Sequence, residues 1–281
     1  MDKKDKSALY LFILLAFGIS WGFWLIAFLF GYRDISFVDI INWEFAKAEG
    51  KNAFLLFRIG IYGPLLASLV ATYFLSGTRG LRDLFTRIFK WNVGWKWYLF
   101  MVLIPLGISL LSVLVGVILG VPFGEFFSGG IPLSLIFIFF LYQVFTSGLE
   151  EPGWRGFALD LLQKKYNAEK TSWILGLIWA IWHYPYVVFI YSDTGFFAIV
   201  MSLVGFSMAI IGQTFIFTWF YNNTRSVFIS ILFHAMLNTS TTFILGEITL
   251  VHPVMGIIPA LITWGIVVIL LKRFGGEKLM T

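Results

Sequence analysis

Residues 97–119 read WYLFMVLIPLGISLLSVLVGVIL and contain no charged side chain. A helix needs roughly 20 apolar residues to cross the hydrocarbon core of a bilayer, and the backbone polar groups of a span must be satisfied within it. This run therefore predicts a transmembrane helix, Trp97–Leu119. Seven more runs meet the same criterion: Ala8–Phe30, Ala53–Leu75, Pro132–Leu149, Thr171–Tyr191, Phe196–Phe220, Val227–Gly246 and Pro253–Leu271. Together they predict an all-α, polytopic membrane protein with about eight transmembrane helices.

The overall composition agrees with lipid as the main solvent. The chain has 281 residues, of which 59% are apolar and only 12% are charged, whereas a soluble domain carries roughly 25% charged residues. There is no cysteine, which excludes disulfides, thiolate metal sites and a cysteine nucleophile. We find no low-complexity tract and no soluble domain, so residues 1–281 are interpreted as a single membrane domain.

The placement of Lys and Arg predicts how the spans are oriented. If the N-terminus lies in the cytosol, the segments on that side contain 16 of the 20 basic residues. The other four, Arg33, Lys47, Lys51 and Arg58, lie in or beside the first outer loop. Because cytosolic loops are enriched in Lys and Arg, we predict a multi-pass protein of the cell membrane with both termini cytosolic. This distribution explains the net charge of +5 without a nucleic-acid partner.

Two connections on the predicted cytosolic side have amphipathic patterns. Residues 81–90 and residues 154–165 both place apolar side chains on one helical face, with Arg, Lys or Gln elsewhere around the turn. Helices of this kind lie in the headgroup layer of a membrane. We therefore predict short amphipathic interfacial helices at both places.

Three polar clusters interrupt the apolar runs. They are Glu150-Glu151-Pro152-Gly153-Trp154-Arg155, Trp179-Ala180-Ile181-Trp182-His183 and His234-Ala235-Met236-Leu237-Asn238. Polar and ionisable groups inside a membrane are costly, so each cluster is a hypothesis for a functional site. The clusters fall in three different predicted spans.

The spacing within each cluster predicts which side chains share a face. Glu151 and Arg155 are four residues apart, so on a helix they can pair. His234 and Asn238 share a face for the same reason. In the second cluster an aromatic ring, Trp179, lies one turn before the histidine.

The predicted depth of the clusters brings them to one site. All three reach the cytosolic half of the membrane, with Glu150 at the inner end of its span. A carboxylate withdrawn from water is suited to act as a general base, and donors such as His and Asn can stabilise an oxyanion. This set is sufficient for hydrolysis of an amide bond, and no His-Glu-x-x-His or Gly-x-Ser-x-Gly motif offers another route. Glu150, His183 and His234 would also suffice for a zinc site, which stays open as a minor alternative.

The motifs Glu-Glu-x-x-x-Arg, aromatic-x-x-x-His and His-x-x-x-Asn, in this order on a hydrophobic chain, resemble the CPBP family. This is the CAAX protease and bacteriocin-processing group, also called Abi, which is related to the Rce-type CAAX prenyl endopeptidases. The resemblance implies that Glu150 is the catalytic glutamate, that His183 helps to activate water, and that His234 and Asn238 form the oxyanion pair. The motifs lie within residues 150–238, and the family-like core covers roughly residues 131–272.

The same resemblance implies supporting roles and a class of substrate. Glu151 and Arg155 match positions that shape the site, and Trp179 stands where the family commonly has Phe. The family implies glutamate-dependent peptide hydrolysis without a cofactor, acting on a membrane-associated peptide or protein, with prenylated CAAX proteins as one candidate. The sequence does not identify the substrate or the oligomeric state.

Two other classes of function remain open beside the peptidase. A member of this family could act as a non-proteolytic bacteriocin-immunity or regulatory scaffold in the membrane. A transporter or channel is less favoured, because the sequence lacks the internal repeat and paired broken helices expected of a transporter.

Overall fold

A computed structural model describes residues 1–32, 37–41, 50–127, 131–246 and 248–280. Within these ranges the chain is helical and contains no strand. Among the described residues, eight helical segments are long and apolar enough to cross a membrane, which confirms the predicted number. They are Lys3–Leu29, Lys51–Ile88, Trp95–Ile118, Leu133–Gln163, Ala168–Ile190, Phe196–Thr224, Val227–Leu245 and Met255–Phe274. The protein is therefore an all-α, multi-pass membrane protein.

Several of these spans consist of more than one helix. In chain order the α-helices are α1 (Lys3–Leu29), α2 (Phe37–Ile41), α3 (Lys51–Ile61), α4 (Gly63–Ile88), α5 (Trp95–Ile118), α6 (Ile136–Phe145), α7 (Glu151–Gly153), α8 (Leu159–Gln163), α9 (Ala168–Ile190), α10 (Phe196–Thr224), α11 (Val227–Ser240), α12 (Ile248–Val251) and α13 (Pro253–Phe274). The second span joins α3 to α4, and the fourth joins α6, α7 and α8 through a 3₁₀ turn (Ser147–Glu150) and a π-helical turn (Trp154–Ala158).

Small residues allow the spans to pack closely. The helix α1 packs against α3 and α4, and α9 packs against α10. A Cβ atom added at Gly63 would lie 2.1 Å from Ser20 Oγ, and one added at Gly176 would lie 2.8 Å from Ile211 Cα. In a membrane, where apolar burial gives helices little reason to associate, such close approach provides much of the packing energy.

One end of the bundle gathers both termini and most of the basic connections. Contacts that join these segments are Lys164 Nζ to Asp5 Oδ1 (2.7 Å), Ala168 N to Glu277 O (2.9 Å), Asn222 Nδ2 to Lys278 O (2.7 Å), Lys90 Nζ to Thr224 O (2.8 Å) and Arg225 Nη1 to Asp160 Oδ1 (2.8 Å). We call this the basic end. Successive spans run in opposite directions, so each span either begins or ends at the basic end. The opposite end therefore carries the α1–α3, α5–α6, α9–α10 and α11–α13 connections.

The two predicted interfacial helices have different outcomes. Residues 81–88 continue α4 beyond a kink at Gly77 (φ 59°, ψ −152°), with Leu84 and Ile88 buried and Phe85 exposed. Their place in the headgroup layer stays a prediction. The second prediction is wrong for residues 154–162, where Trp154 to Leu159 and the leucines that follow are buried inside the bundle. The amphipathic pattern correctly marked an inward face, but that face packs on protein rather than lipid headgroups.

Candidate active site

The fourth span breaks near its middle, and the break positions the first polar cluster. The helix α6 ends at Phe145, and Thr146 leaves the helical region with φ −109° and ψ −97°. The Ser147–Glu150 3₁₀ turn, α7 and the π-helical turn follow. Pro152 has no N–H with which to continue a regular α-helix from the preceding turn, which agrees with this irregular backbone. The prediction that Glu150 lies at the inner end of its span is wrong, because the span continues to Gln163.

Glu151 and Arg155 form the ion pair that their spacing predicts. Both side chains are fully buried, and Arg155 Nη1 lies 3.0 Å from Glu151 Oε2. The guanidinium carbon also lies 3.8 Å from the centre of the Phe217 ring and 4.2 Å from that of Trp179. Arg155 Nη2 donates to Thr214 Oγ1 at 3.5 Å. Buried charges persist when they are paired in this way, so the span can continue through the bundle instead of ending at its charged residues.

Trp179 is where the three motifs meet. Its indole Nε1–H donates a hydrogen bond of 2.9 Å to Glu150 Oε2. The centre of its ring lies 5.7 Å from that of His183 and 5.5 Å from that of His234. The aromatic ring predicted beside His183 is therefore present. It also donates the hydrogen bond to Glu150, which the sequence pattern did not indicate. Glu150 itself is 3% exposed.

The hydrogen bonds of the two histidines identify which ring nitrogen carries a proton. His183 Nδ1 is 2.9 Å from the carbonyl oxygen of Trp179, and His234 Nδ1 is 2.8 Å from Glu151 Oε1. Carbonyl and carboxylate oxygens only accept hydrogen bonds, so each Nδ1 is the donor. In a neutral imidazole the Nε2 atom is then an acceptor. His183 can therefore accept a hydrogen bond from water through Nε2.

A cavity of about 600 Å³ opens beside these groups. Glu150, His183 and Asn238 line it, whereas His234 is not among its lining residues. The remaining lining side chains are mostly aromatic or aliphatic, with a few polar groups: Trp24, Phe37, Ile40, Phe57, Arg58, Ile61, Ile131, Phe139, Tyr142, Gln143, Thr146, Ser147, Trp182, Tyr186 and Thr242. A cavity with aromatic and aliphatic walls and converging polar groups is typical of a binding site.

Two polar residues of the site were missed in the sequence. Asn238 Nδ2 donates to Ser147 Oγ at 2.9 Å and to Gln143 Oε1 at 3.2 Å. Ser147 Oγ in turn donates to Gln143 Oε1 at 2.7 Å. A signal was present, since Gln143 and Ser147 are four residues apart in an otherwise apolar run and so share a helical face. Both line the cavity, and the Asn238 amide that was predicted to bind an oxyanion is bonded to them.

The arrangement of acidic and histidine side chains bears on the zinc alternative. Across the described part of the chain, no group of three or more His, Cys, Asp or Glu residues is placed to hold a metal ion. Both Nδ1 atoms of the site histidines are already donors. This donation leaves both Nε2 atoms free for a metal, so only the spacing of Glu150, His183 and His234 argues against a zinc ion on these side chains.

Comparison with known proteins agrees with the motifs. Residues 132–240 match the family model described as "Type II CAAX prenyl endopeptidase Rce1-like", and all three polar clusters lie within that match. The chain is also 28% identical over 202 residues to a Methanococcus maripaludis protein named CAAX prenyl protease 2, an alignment that covers 69% of this chain and 74% of the relative. With eight apolar spans among the described residues and the Glu-His-His-Asn motifs in order, the chain is similar to the Rce1-like CAAX endopeptidases, and this similarity supports an intramembrane protease.

Proposed function

We propose that this protein hydrolyses a peptide bond of a membrane-associated substrate with a water molecule activated by Glu150 and His183. The observation that carries the proposal is the contact of Trp179 with all three motifs, through a hydrogen bond to Glu150 and ring contacts to His183 and His234. A carboxylate, an imidazole and an amide side chain then line the same cavity. General-base and oxyanion groups within reach of one water are what amide hydrolysis requires.

The reaction assigns a role to each of the three predicted site residues that line the cavity, Glu150, His183 and Asn238. Water is held between Glu150 and the Nε2 atom of His183, and its proton passes to the Glu150 carboxylate as its oxygen bonds to the scissile carbonyl carbon. The π electron pair of the carbonyl moves to its oxygen, where the amide of Asn238 donates to the oxyanion. The C–N bond then breaks, and the proton held by Glu150 passes to the leaving nitrogen. No co-reactant other than water is needed.

His234 completes the oxyanion pair in this proposal. It precedes Asn238 by one turn of α11, so both side chains can act on one atom. Its Nδ1–H is donated to Glu151, so donation from Nε2 as well requires the imidazole to carry both protons. Asn238 must in turn release Ser147 or Gln143 to donate to the substrate. Substrate binding therefore rearranges this polar network.

Glu151, Arg155 and Trp179 are positioning residues in the same proposal. Glu151 bonds both Arg155 and His234, and Trp179 holds one oxygen of Glu150. Packing also keeps this segment in place, because a Cβ atom at Gly153 would lie only 2.5 Å from the Pro64 carbonyl oxygen. We assign the proteolytic core to residues 131–272, within one membrane domain formed by the whole chain.

Orientation and substrate class complete the proposal. The excess of Lys and Arg at the basic end supports a cytosolic location for both termini in the cell membrane. The name of the Methanococcus maripaludis relative suggests a peptide that ends in a prenylated CAAX sequence as the first substrate to test. The aromatic and aliphatic side chains in the cavity lining agree with a substrate that carries a hydrophobic anchor.

Cleavage of a prenylated CAAX peptide and of a peptide library by the detergent-solubilised protein tests the proposal. Wild type should release a product, and Glu150→Gln should lose at least about 10²-fold in rate, as expected for removal of a general base. The matched control is Glu277→Gln, which changes an exposed glutamate at the basic end and should leave the rate unchanged. Equal cleavage by wild type and Glu150→Gln would contradict the mechanism and favour a scaffold.

The need for metal is tested in the same assay. Chelator-washed protein should keep its activity, with metal analysis of the same sample showing less than one zinc ion per chain. Activity that is lost on washing and restored by zinc would support the His₂Glu zinc site instead.

A further inference from the structure

Two charged side chains line the cavity, and they lie at different levels of the fourth span. Among the described residues, Arg58 is the only Lys or Arg in the lining, and Glu150 is the only Asp or Glu. The guanidinium carbon of Arg58 lies 5.5 Å from the centre of the Tyr142 ring. Tyr142 begins the last turn of α6, and Glu150 ends the 3₁₀ turn that follows. At about 1.5 Å per α-helical residue and about 2.0 Å per 3₁₀ residue, the two levels are roughly 14 Å apart.

The fold fixes the position of Arg58 relative to the fourth span. Arg58 lies on α3 one turn after Phe54, and its guanidinium carbon is 4.6 Å from the centre of that ring. Tyr62, which directly follows α3, donates a 2.8 Å hydrogen bond to the carbonyl oxygen of Phe145 at the end of α6. The helix that carries the cation is therefore bonded to the span that contains Glu150.

A substrate with a free C-terminus brings a second carboxylate into this cavity. An anion withdrawn from water is costly unless it is paired with a cation and hydrogen-bonded, and the like charge of Glu150 disfavours its approach to that side chain. The guanidinium of Arg58 is a planar fork of N–H donors that fits a carboxylate in a bidentate manner. The charges of the lining therefore favour a peptide with its C-terminus at Arg58 and an upstream bond beside Glu150.

We infer that Arg58 binds the C-terminal carboxylate of the substrate and thereby places the scissile bond beside Glu150. An extended peptide advances about 3.3–3.6 Å per residue, so roughly 14 Å corresponds to about three or four residues. The substrate class is then the free C-terminal tail of a membrane-anchored protein rather than an internal loop. This inference rests on the proposed function, because it takes Glu150 as the group that activates water.

Paired peptides that differ only at the C-terminus test the inference. Each prenylated CAAX peptide is made as the free acid and as the C-terminal amide, and kcat/KM is measured for both. Wild type should prefer the acid about tenfold, as expected for one charge-assisted hydrogen-bonded pair. Arg58→Gln should lose this preference because its KM for the acid rises, whereas Arg58→Lys should retain part of it. The matched control, Arg82→Gln at an exposed position of α4, should keep the wild-type preference.

The ratio of acid to amide distinguishes recognition from structural support. Both peptides are compared on the same variant, so the fraction of folded protein cancels. If Arg58 only stabilises α3 against Tyr142, Arg58→Gln should slow both peptides equally, and this result would overturn the inference. Equal kcat/KM for acid and amide in wild type would overturn it as well. In both cases, cleavage that is lost in Glu150→Gln would still support the proposed function.

The length of the released fragment tests the spacing between the two groups. Mass spectrometry of the products from the acid should find a C-terminal fragment of about three or four residues. A fragment of about eight residues or more would be too long for the distance between Arg58 and Glu150. That result would overturn the assignment of the carboxylate to Arg58.

A binding measurement tests the carboxylate site without any cleavage. Fluorescently labelled acid and amide peptides are titrated against Glu150→Gln and against Glu150→Gln/Arg58→Gln in detergent. The single variant should bind the acid about tenfold more tightly than the amide, and the double variant should bind both equally. This pattern would support the carboxylate site even if wild type cleaved neither peptide, a result that would remove the proposed function. Equal affinity of the single variant for acid and amide would overturn the inference.

Discussion

Replacement of Arg155 by Met tests whether the buried ion pair maintains the segment that carries the site. Arg155 and Glu151 are fully buried with 3.0 Å between the charged groups. The guanidinium also lies against Trp179 and Phe217. The substitution leaves the Glu151 carboxylate inside the bundle with its hydrogen bond from His234 but without its cation.

The magnitude follows from this uncompensated charge. Removing one partner of a buried pair costs about 3–5 kcal/mol. The complementary change, Glu151→Gln, should cost less, because the guanidinium keeps its two aromatic contacts and a desolvated cation–π contact contributes about 2 kcal/mol. The double variant contains no unpaired charge, so the two effects should not add, and we expect a coupling energy of at least about 2 kcal/mol.

Thermal unfolding in detergent, followed by tryptophan fluorescence, measures these effects. A loss of 1 kcal/mol lowers the Tm of a chain of this size by roughly 2–4 °C, so Arg155→Met should lower it by about 10 °C. The double variant should recover much of that loss. Arg82→Met, at an exposed position of α4, is the matched control and should leave the Tm unchanged. Simple addition of the two single effects in the double variant would refute the argument.

Three further predictions concern the cavity and the packing. Because Arg58 supplies a cation to the cavity wall, Arg58→Gln should raise KM about tenfold for peptides with a free carboxylate, but not for the same peptides with an amidated end. Ser147→Ala removes a hydrogen-bond partner of Asn238. It should change kcat by about 2–10-fold, because that is the effect of losing one neutral hydrogen bond. An unchanged kcat would show that this network takes no part in the reaction. Gly63→Ala puts a Cβ against the neighbouring helix and should cost about 1–3 kcal/mol in a thermal unfolding assay, whereas Gly107→Ala, which meets no atom within 4 Å, should not.

The spans and the ion pair could be predicted from sequence because each follows from a short-range rule. Bilayer thickness sets the length of an apolar run, so the eight spans are confirmed with changes mainly at their ends. Helical periodicity places Glu151 and Arg155 on one face, and their pairing needs no information about other helices.

The contacts that assemble the site could not be predicted in this way, because they join distant segments. The bond between Trp179 and Glu150 joins residues 29 apart, and that between His234 and Glu151 joins residues 83 apart. Periodicity identified which side of the 154–165 segment is apolar, but not what that side packs against. The apolar pattern is the same whether the helix packs on other helices or lies in the headgroup layer. The predicted depth of Glu150 was wrong for a related reason. The apolar run in the sequence ends at the two glutamates, whereas the helical span continues to Gln163.

The break in the fourth span and the cavity beside it are explained by the same physical rule. Irregular backbone is tolerated at membrane depth only where it is buried in protein or lines a cavity. Here Thr146 and Ser147 line the cavity, while a Cβ atom at Gly148 would lie 2.9 Å from a side-chain atom of Ile231. An uninterrupted helix would have satisfied its own backbone hydrogen bonds without any need to line a cavity. Under the proposed function, the polar cluster that makes this span look too short in sequence lies where the helix breaks, so that a peptide and a water molecule can reach the same carboxylate.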